Sequence, residues 1–260
     1  MRFSSLGSGS RGNATLVEAR GTCLMIDCGF SLKETERRLA RLARQPQQID
    51  ALLVTHEHAD HIQGVGRLAR RFDIPVWMTY GTSLSGPLQS TREDLRLQLF
   101  DVNSSFSING IEVQPFPVPH DANEPCQFVF SDGDSKLALL TDTGSVTPHI
   151  IGMLMDVDAL LLECNHDIDL LWQGSYPQSV KQRIAGDYGH MSNRQAAGLL
   201  RQVAGSRLQR VVAMHLSRDN NSHDHVIDEL LPVLGAAGSR LEIADQEHGL
   251  CWREIEPNRL

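Results

Sequence analysis

Four residues that can bind a metal ion follow a short apolar run. Ala51-Leu52-Leu53-Val54 leads directly into Thr55-His56-Glu57-His58-Ala59-Asp60-His61. His56 and His58 share one face while the backbone stays extended, because side chains alternate along a strand. Asp60 and His61 can reach a second position only once the chain turns. The spacing therefore predicts two adjacent metals that share one loop, and makes a merely polar turn a poor explanation.

The composition is that of an ordinary globular protein. Of the 260 residues, 41% are hydrophobic, 22% are charged and 5% are aromatic, so the core must be mainly aliphatic. These values exclude collagenous and disordered chains. The formal net charge of −8 excludes a highly basic nucleic-acid binder of the histone type, although a local basic patch is still compatible with it. Bound divalent cations would offset part of the acidic excess.

The cysteines and the hydropathy pattern indicate a soluble protein of a reducing compartment. The five cysteines are odd in number and scattered, with no CxxC pair, which argues against a disulfide framework and a cysteine zinc knuckle. No apolar run reaches the ~18 residues that a membrane helix needs. The first thirteen residues lack the apolar segment of a signal peptide. We therefore expect a cytoplasmic location and no membrane partner.

Short apolar runs alternate with helical patterns along the chain. Ser31 with Glu34, and Ser192 with Gln195, have the spacing of capping boxes and predict two helix starts. The pattern indicates a mixed α/β protein. Ten strands are predicted, at Ala14–Ala19, Thr22–Asp27, Asp50–Thr55, Pro75–Thr79, Ile111–Val118, Gln127–Ser131, Lys136–Asp142, Ala159–Cys164, Arg210–His215 and Leu241–Ala244.

The HxHxDH motif after an apolar strand closely resembles the signature of the metallo-β-lactamase superfamily. Four further residues match the motifs of that superfamily in chain order, each at the end of a predicted strand: Asp27, His120, Asp142 and His215. The resemblance covers essentially the whole chain. It implies a single domain over residues 1–260, folded as a four-layer αββα sandwich with a dinuclear metal site at one edge.

The resemblance also implies a ligand set. One metal would take His56, His58 and His120, and the other would take Asp60, His61 and His215. Asp142 would bridge them together with a hydroxide, and Asp60 is expected to take part in catalysis. Imidazole-rich ligation favours zinc, while the two carboxylates leave manganese and iron as alternatives. The oxygen-reducing branch has a glutamate where this chain has His58, which argues for hydrolysis over redox chemistry.

Other motifs are similar to those of the YycJ (WalJ) family, a compact branch without the inserted β-CASP domain. This resemblance implies a 5′-to-3′ exonuclease acting on nucleic acid, notably DNA. The 73 residues from Asp142 to His215 are few for a β-CASP insertion, which agrees with the compact branch. The motifs are the segments Leu6–Asn13, Glu163–Asp167, Gly174–Pro177 and Gly186–Asn193.

These motifs supply the candidate substrate-binding residues. Ser10 and Asn13 lie in a Gly/Ser-rich loop whose backbone N–H groups can form a phosphate nest, or which is simply a turn. Asn165 and His166 are expected near substrate, the alternative being a helix cap and a surface side chain. His190, two residues before the Ser192 cap, is expected to contact a phosphate or to donate a proton to the leaving oxygen. Ser192 itself, at the N-terminus of that helix, is expected to help hold the terminal phosphate of the substrate, the alternative being a cap alone.

Two other functions stay open at this stage. One is a small-molecule hydrolase of the same fold, such as a thioesterase, lactonase or cyclic phosphodiesterase. The other is a non-catalytic regulatory protein, which the intact ligand set disfavours. Arginine stripes at Arg37, Arg41 and Arg44 and at Arg67, Arg70 and Arg71 support a nucleic-acid partner only weakly, because solvated helix faces explain them equally well. No aromatic-interleaved stacking platform is recognised, and the oligomeric state is open.

Overall fold

Two mixed β-sheets form the centre of the molecule. The structure is a computed structural model that describes residues 1–85 and 92–257. Within these residues, fourteen strands form two sheets of seven. The strands are β1 (Arg2–Gly7), β2 (Ala14–Ala19), β3 (Thr22–Ile26), β4 (Ala51–Leu53), β5 (Val76–Met78), β6 (Leu97–Leu99), β7 (Phe106–Ile108), β8 (Ile111–Pro117), β9 (Cys126–Ser131), β10 (Lys136–Leu140), β11 (Ala159–Glu163), β12 (Arg210–Met214), β13 (Leu241–Ile243) and β14 (Leu250–Glu254).

Each sheet is antiparallel in one half and parallel in the other. The first has the order β14-β1-β2-β3-β4-β5-β6 and is parallel from β3 to β6. The second has the order β13-β12-β11-β10-β9-β8-β7 and is parallel from β10 to β13. Arg20 and Gly21 join β2 to β3 with φ values of 52° and 80°, as a tight hairpin turn requires.

Helices cover the outer faces of both sheets. Ser31 caps α1 by accepting the Glu34 N–H, but the Glu34 carboxylate pairs with arginines, so this cap is not reciprocal. The helices are α1 (Leu32–Arg41), α2 (Ala59–Ile62), α3 (Val65–Phe72), α4 (Tyr80–Ser83), α5 (Pro148–Leu154), α6 (Ile168–Gln173), α7 (Gln178–Ile184), α8 (Asn193–Val203) and α9 (His223–Leu234), with 3₁₀ turns at Pro46–Gln48, Arg92–Asp94 and Gly235–Arg240.

Three hydrophobic cores separate four layers. Alternate residues of each strand face opposite sides of its sheet, so Leu24 and Leu137 lie in the core between the sheets. Met25 faces the core beneath α1 and α3, and Leu140 faces the core beneath α5, α8 and α9. The αββα sandwich predicted from the sequence is confirmed. The continuous stretch 92–257 contains no inserted domain between Asp142 and His215.

All ten predicted strands are present, but several end earlier than predicted. The predicted strands ending at Asp27, Asp142 and His215 stop at Ile26, Leu140 and Met214 instead. Asp27, Asp142 and His215 have φ values of 59°, 52° and 55°. A strand cannot continue through this left-handed region. The backbone therefore turns sharply where each strand delivers its polar side chain.

Four strands, β1, β6, β7 and β14, were not predicted from the sequence. β1 contains Ser4 and Ser5, which are buried, and the Ser4 hydroxyl donates to the Leu250 carbonyl in β14. Buried serines conceal the apolar signature of a strand. β6 and β7 span three residues each, too few for an alternating pattern to be read. No helix in the described part of the chain is long and apolar enough to cross a membrane.

Candidate metal centre and active site

The polar residues meet at one edge of the sandwich because of strand direction. Asp27 follows β3 and the histidine loop follows the parallel strand β4, while Asp142, Glu163 and His215 lie at the ends of the parallel strands β10, β11 and β12. β8 is antiparallel to β9, which is antiparallel to β10, so β8 delivers His120 to the same edge. The carboxyl ends of the parallel strands therefore meet at one site.

The histidine loop is anchored beneath the site by Asp27. The Asp27 carboxylate accepts hydrogen bonds from the Thr55 N–H at 2.9 Å and the Thr55 hydroxyl at 2.8 Å. Its Oδ2 also accepts the Nδ1–H of His61 at 2.8 Å, which leaves Nε2 of His61 to face the site. The chain turns into the short helix α2 at Ala59, as the spacing of Asp60 and His61 required. Asp27 therefore sets the orientation of a candidate ligand.

Three histidines form the first donor cluster. The ring centroids of His56, His58 and His120 lie 4.6–4.9 Å apart. His120 donates its Nδ1–H to the Gly189 carbonyl at 3.0 Å, so Nε2 faces inward, where it lies 3.2 Å from Nδ1 of His58. Two ligand nitrogens on one zinc, each at about 2.0–2.1 Å from the ion, have a spacing of this size.

The second donor cluster contains Asp60, His61 and His215. Oδ2 of Asp60 lies 3.5 Å from Nε2 of His61 and 3.3 Å from Nε2 of His215. Asp142 lies between the clusters: its Oδ2 is 3.3 Å from Nε2 of His61, and its Oδ1 is 4.0 Å from Nε2 of His120. The seven residues predicted as metal ligands are thus brought together around one carboxylate.

Two buried atoms test whether these residues fit metal ions. Nε2 of His56 and Oδ2 of Asp142 are buried and make no hydrogen bond. The Thr55 hydroxyl donates to Asp27, so at 3.0 Å it accepts the Nδ1–H of His56 and leaves a lone pair on that Nε2. Buried polar atoms are normally paired. These two atoms carry lone pairs that no hydrogen bond uses, and they face a cluster of imidazoles and carboxylates. This arrangement fits the binding of divalent cations.

The electrostatics keep both carboxylates ionised. Burial raises the pKa of Asp142, but the imidazoles of His215 and His61 outweigh it and hold that pKa well below its usual range. The pKa of Asp60 is lowered by His61 and His215 in the same way. In return, although burial opposes it, the carboxylates of Asp142 and Asp60 raise the pKa of His215 to about 10. Ionised carboxylates are the form that ligates metals.

Glu163 opens one of the motifs found in the sequence, but it was not predicted as a site residue. It is fully buried, and its Oε2 accepts the N–H groups of Thr143 and Met191 at 3.0 and 3.2 Å. Its Oε1 lies 2.8 Å from Nδ1 of His190 and 3.4 Å from Nδ1 of His215. A charged residue at the end of an otherwise apolar strand was the available signal, because charged groups are rarely buried without a partner.

His190 lies on the wall of a cleft above the donor clusters. Burial lowers the pKa of its imidazole, but the Glu163 carboxylate outweighs this and raises it. Because Nδ1 donates to Glu163, Nε2 is the atom free for other contacts. The cleft has a volume of about 330 Å³, and its wall includes Ser10, His58, Asp60, Asp142, Asn165, Arg183, His190 and His215.

Of four candidate substrate-binding residues, two line the cleft and two do not. Ser10 is exposed and Asn165 reaches the cleft, although the Asn165 amide also donates to the His215 carbonyl. Asn13 is buried, and its amide contacts Asp60 and His61, so its contacts support candidate ligands. His166 is buried, and burial lowers the pKa of its imidazole to about 4.

Two predicted phosphate sites are occupied by the chain itself. Ser192 is buried in a reciprocal capping box with Gln195, accepting its N–H and donating to its side-chain oxygen. In the Gly/Ser loop, the Gly9 and Arg11 N–H groups donate to Asn13 and Gln246. The Ser192 hydroxyl and these two N–H groups are therefore paired within the chain. That Ser192 holds substrate and that the loop forms a phosphate nest stay predictions.

The arginines of the first stripe all have partners within the chain. Arg37 is exposed and pairs with Glu34 of the same helix, whereas Arg44 pairs with Glu18 and Arg41 donates to the Glu247 and Leu6 carbonyls. Arg41 and Arg44 therefore tie α1 and the turn after it to neighbouring strands and turns, and a solvated helix face explains Arg37.

The comparisons with known proteins agree with this architecture. The profile of the beta-lactamase superfamily domain matches residues 22–216. The chain is 35% identical to exodeoxyribonuclease WalJ of Streptococcus pneumoniae serotype 2, over 94% of this chain and 93% of the relative. It is 36% identical to exodeoxyribonuclease YycJ of Bacillus anthracis, over 95% and 96%. The metallo-beta-lactamase fold protein YhfI of Bacillus subtilis superimposes with a TM-score of 0.71 at 16% identity, covering 97% of this chain and 98% of YhfI.

Proposed function

The chain belongs to the metallo-β-lactamase superfamily and, within it, to the WalJ/YycJ family, and from that premise we propose that it is a metal-dependent exonuclease that degrades DNA from the 5′ end. The observation that carries the proposal is the 35–36% identity to two exodeoxyribonucleases over 94–95% of the chain. The donor clusters at the cleft supply the chemistry that such an activity needs. Fold alone would leave the substrate open.

We assign two divalent metal ions, zinc by preference, to the donor clusters. His56, His58 and His120 would hold one ion, Asp60, His61 and His215 the other, and Asp142 both. Paired ions stabilise the attacking and leaving oxygens of a phosphodiester and lower the pKa of a bound water. The unpaired atoms of His56 and Asp142 support this assignment.

His190 and Glu163 would handle the proton of the leaving oxygen. Glu163 accepts the Nδ1–H of His190 at 2.8 Å and raises its pKa against the effect of burial, which favours the protonated imidazole that a proton donor needs. His190 lies in the cleft wall beside Asp142, with its Nδ1 3.6 Å from Oδ1 of that residue. We propose that Nε2 protonates the oxygen that departs when the phosphodiester is cleaved.

We propose a cytoplasmic location from the cysteines. All five are free thiols, and Cys23, Cys28, Cys126 and Cys164 are buried. Burial raises the pKa of the Cys23 thiol well above its usual range, which leaves the thiol protonated and unreactive. No disulfide joins these five cysteines, which is usual for proteins of a reducing compartment.

The decisive experiment uses end-labelled substrates. Metal-loaded protein is incubated with single- and double-stranded DNA, with RNA and with circular DNA, and the products are resolved by length. We expect mononucleotides released progressively from the 5′ end of DNA, with circular DNA resistant. Binding should weaken steeply with salt through counterion release. Circular DNA cut as fast as linear DNA would overturn the exonuclease assignment.

Two variants separate the metal site from the rest of the protein. Asp142→Ala removes the only residue assigned to both ions, and should lose both metal content and nuclease activity. The matched control is His248→Ala, because the side chain of His248 is 85% exposed. Two ions retained at full occupancy in the Asp142 variant would reject the shared-ligand assignment. A thioester or lactone turned over without any DNA degradation would favour a small-molecule hydrolase instead.

A further inference from the structure

Tyr188 is the most exposed large hydrophobic side chain in the described part of the molecule. Its accessible fraction is 66%, and among the described residues its hydroxyl forms no hydrogen bond and its ring makes no ring–ring contact. A single exposed aromatic residue needs no explanation by itself. The position of Tyr188 needs an explanation, because hydrogen bonds hold its backbone beside the active site.

The segment around Tyr188 is fixed from two sides. The Tyr188 carbonyl accepts the Asp121 N–H at 3.0 Å, and the Asp187 carbonyl accepts the Ser145 hydroxyl at 3.1 Å. Gly144 lies so close to the segment that an added Cβ would fall 2.4 Å from the backbone of residues 187 and 189. The aromatic ring is therefore presented by a rigid backbone while its own surface is left exposed.

A shallow pocket lies beside the ring. Its volume is about 460 Å³, and Tyr188, His149, Val118 and the prolines 117 and 119 form its walls, with Asn103 and Thr147 at polar positions. None of the residues that line it is acidic. Flat apolar walls with a few hydrogen-bonding groups suit a planar heteroaromatic ring.

The pocket adjoins the donor clusters. Pro119 directly precedes His120, and Tyr188 lies two residues before His190, so its Cα is at most about 7.6 Å from that of His190. A second groove leads from the cleft past Ser10 and Ser217, and its walls contain Asp245 and Glu247 together with Arg11 and Arg218. Its charges are therefore mixed, whereas the flat apolar walls that suit a base lie on the Tyr188 side.

Building on the proposed function, we propose that Tyr188 stacks on a nucleobase one or two nucleotides from the scissile phosphate, and so selects single-stranded nucleic acid over small phosphodiesters. Every base has an aromatic face, so the contact is independent of sequence. It holds the strand in register while His190 and the donor clusters face the phosphate. A paired base inside a duplex would have to unstack first to make this contact.

The test measures kcat/KM on single-stranded DNA oligonucleotides and on bis(p-nitrophenyl) phosphate, a diester without a base. Tyr188→Ala should lose roughly 5- to 100-fold on DNA, the range of one base–aromatic stack, with hydrolysis of the small diester and metal content unchanged. Tyr188→Phe keeps the ring and should retain the DNA rate. Trp172→Ala is the matched control, because Trp172 is another exposed aromatic residue away from the pocket.

An abasic nucleotide moved along the strand locates the contact. At one position it should slow the wild type to the rate of Tyr188→Ala while leaving the variant unaffected. An equal loss on DNA and on the small diester, or equal DNA rates for wild type and Tyr188→Ala, would overturn the stacking role while leaving the nuclease function standing. A wild type that does not degrade DNA would overturn the proposed function and this inference together.

Discussion

Asp27 and His61, 34 residues apart in the chain, are joined by a hydrogen bond of 2.8 Å beneath the candidate metal centre. The same carboxylate holds the backbone and the hydroxyl of Thr55. Its left-handed backbone, with φ of 59°, turns the side chain under the loop. One buried carboxylate therefore fixes both the path of the histidine loop and the ring orientation of a candidate ligand.

Removing this carboxylate should weaken metal binding. Asp27→Ala is expected to lower the affinity for the second metal about 10- to 100-fold, because residues that orient a ligating histidine have effects of that size. Competition with a chromogenic chelator measures the affinity. Asp73→Ala is the control, because Asp73 is exposed at the C-terminal end of α3 and its backbone is also left-handed, with φ of 53°. An unchanged affinity in Asp27→Ala would contradict the orienting role.

Binding and chemistry should separate between two histidines. His58→Ala loses a candidate ligand and is expected to lose metal as well as activity. His190→Ala should retain both metals and lose about 10²–10⁴-fold in rate, as removal of a general acid does. Metal analysis and turnover of a phosphodiester measure the two effects. Normal turnover by His190→Ala would reject the proton-donor role.

Glu163→Gln tests how His190 is supported. The amide oxygen can accept either the Nδ1–H of His190 or the N–H groups of Thr143 and Met191, and the negative charge that raises the pKa of His190 is lost. We expect a lower rate with the metals retained. A rate equal to that of the wild type would show that the charge of Glu163 is not needed.

The two candidate phosphate contacts should behave differently. Ser192→Ala is expected to lower the free energy of unfolding by about 1 kcal/mol, since it removes a helix cap, and to leave end preference unchanged because its hydroxyl is buried. Ser10→Ala, at the exposed rim of the cleft, should reduce any preference for a 5′-phosphate over a 5′-hydroxyl end. Rates on both kinds of end for each variant decide this. Loss of end preference in Ser192→Ala would contradict the structural role of the cap.

Gly29 is required where two chain segments touch. A Cβ at this position would lie 1.8 Å from the Asp60 carbonyl oxygen, so Gly29→Ala must displace the backbone that carries Asp60 and His61. We expect lower stability and loss of the second metal, measured by thermal unfolding and elemental analysis. Gly198→Ala is the control, because Gly198 lies within α8 with open space around its Cβ position. That change should raise stability by up to about 1 kcal/mol.

Local patterns were sufficient for much of the fold. Short apolar runs predicted ten strands, and the Ser192 capping box predicted the start of α8, because both depend on neighbouring residues. The strand limits at Asp27, Asp142 and His215 were wrong by one or two residues. Their left-handed backbone is imposed by contacts across the site, which no local pattern records.

The sequence by itself determined the superfamily and the set of candidate ligands, because HxHxDH and four strand-end residues keep their order along the chain. Only the tertiary structure decided how the remaining polar residues are used. It joined Glu163 to His190, enclosed Ser192 in a cap and left Tyr188 exposed beside the cleft. Glu163 and His190 are 27 residues apart, and only the packing of the loop before α8 against the end of β11 brings them within hydrogen-bonding distance.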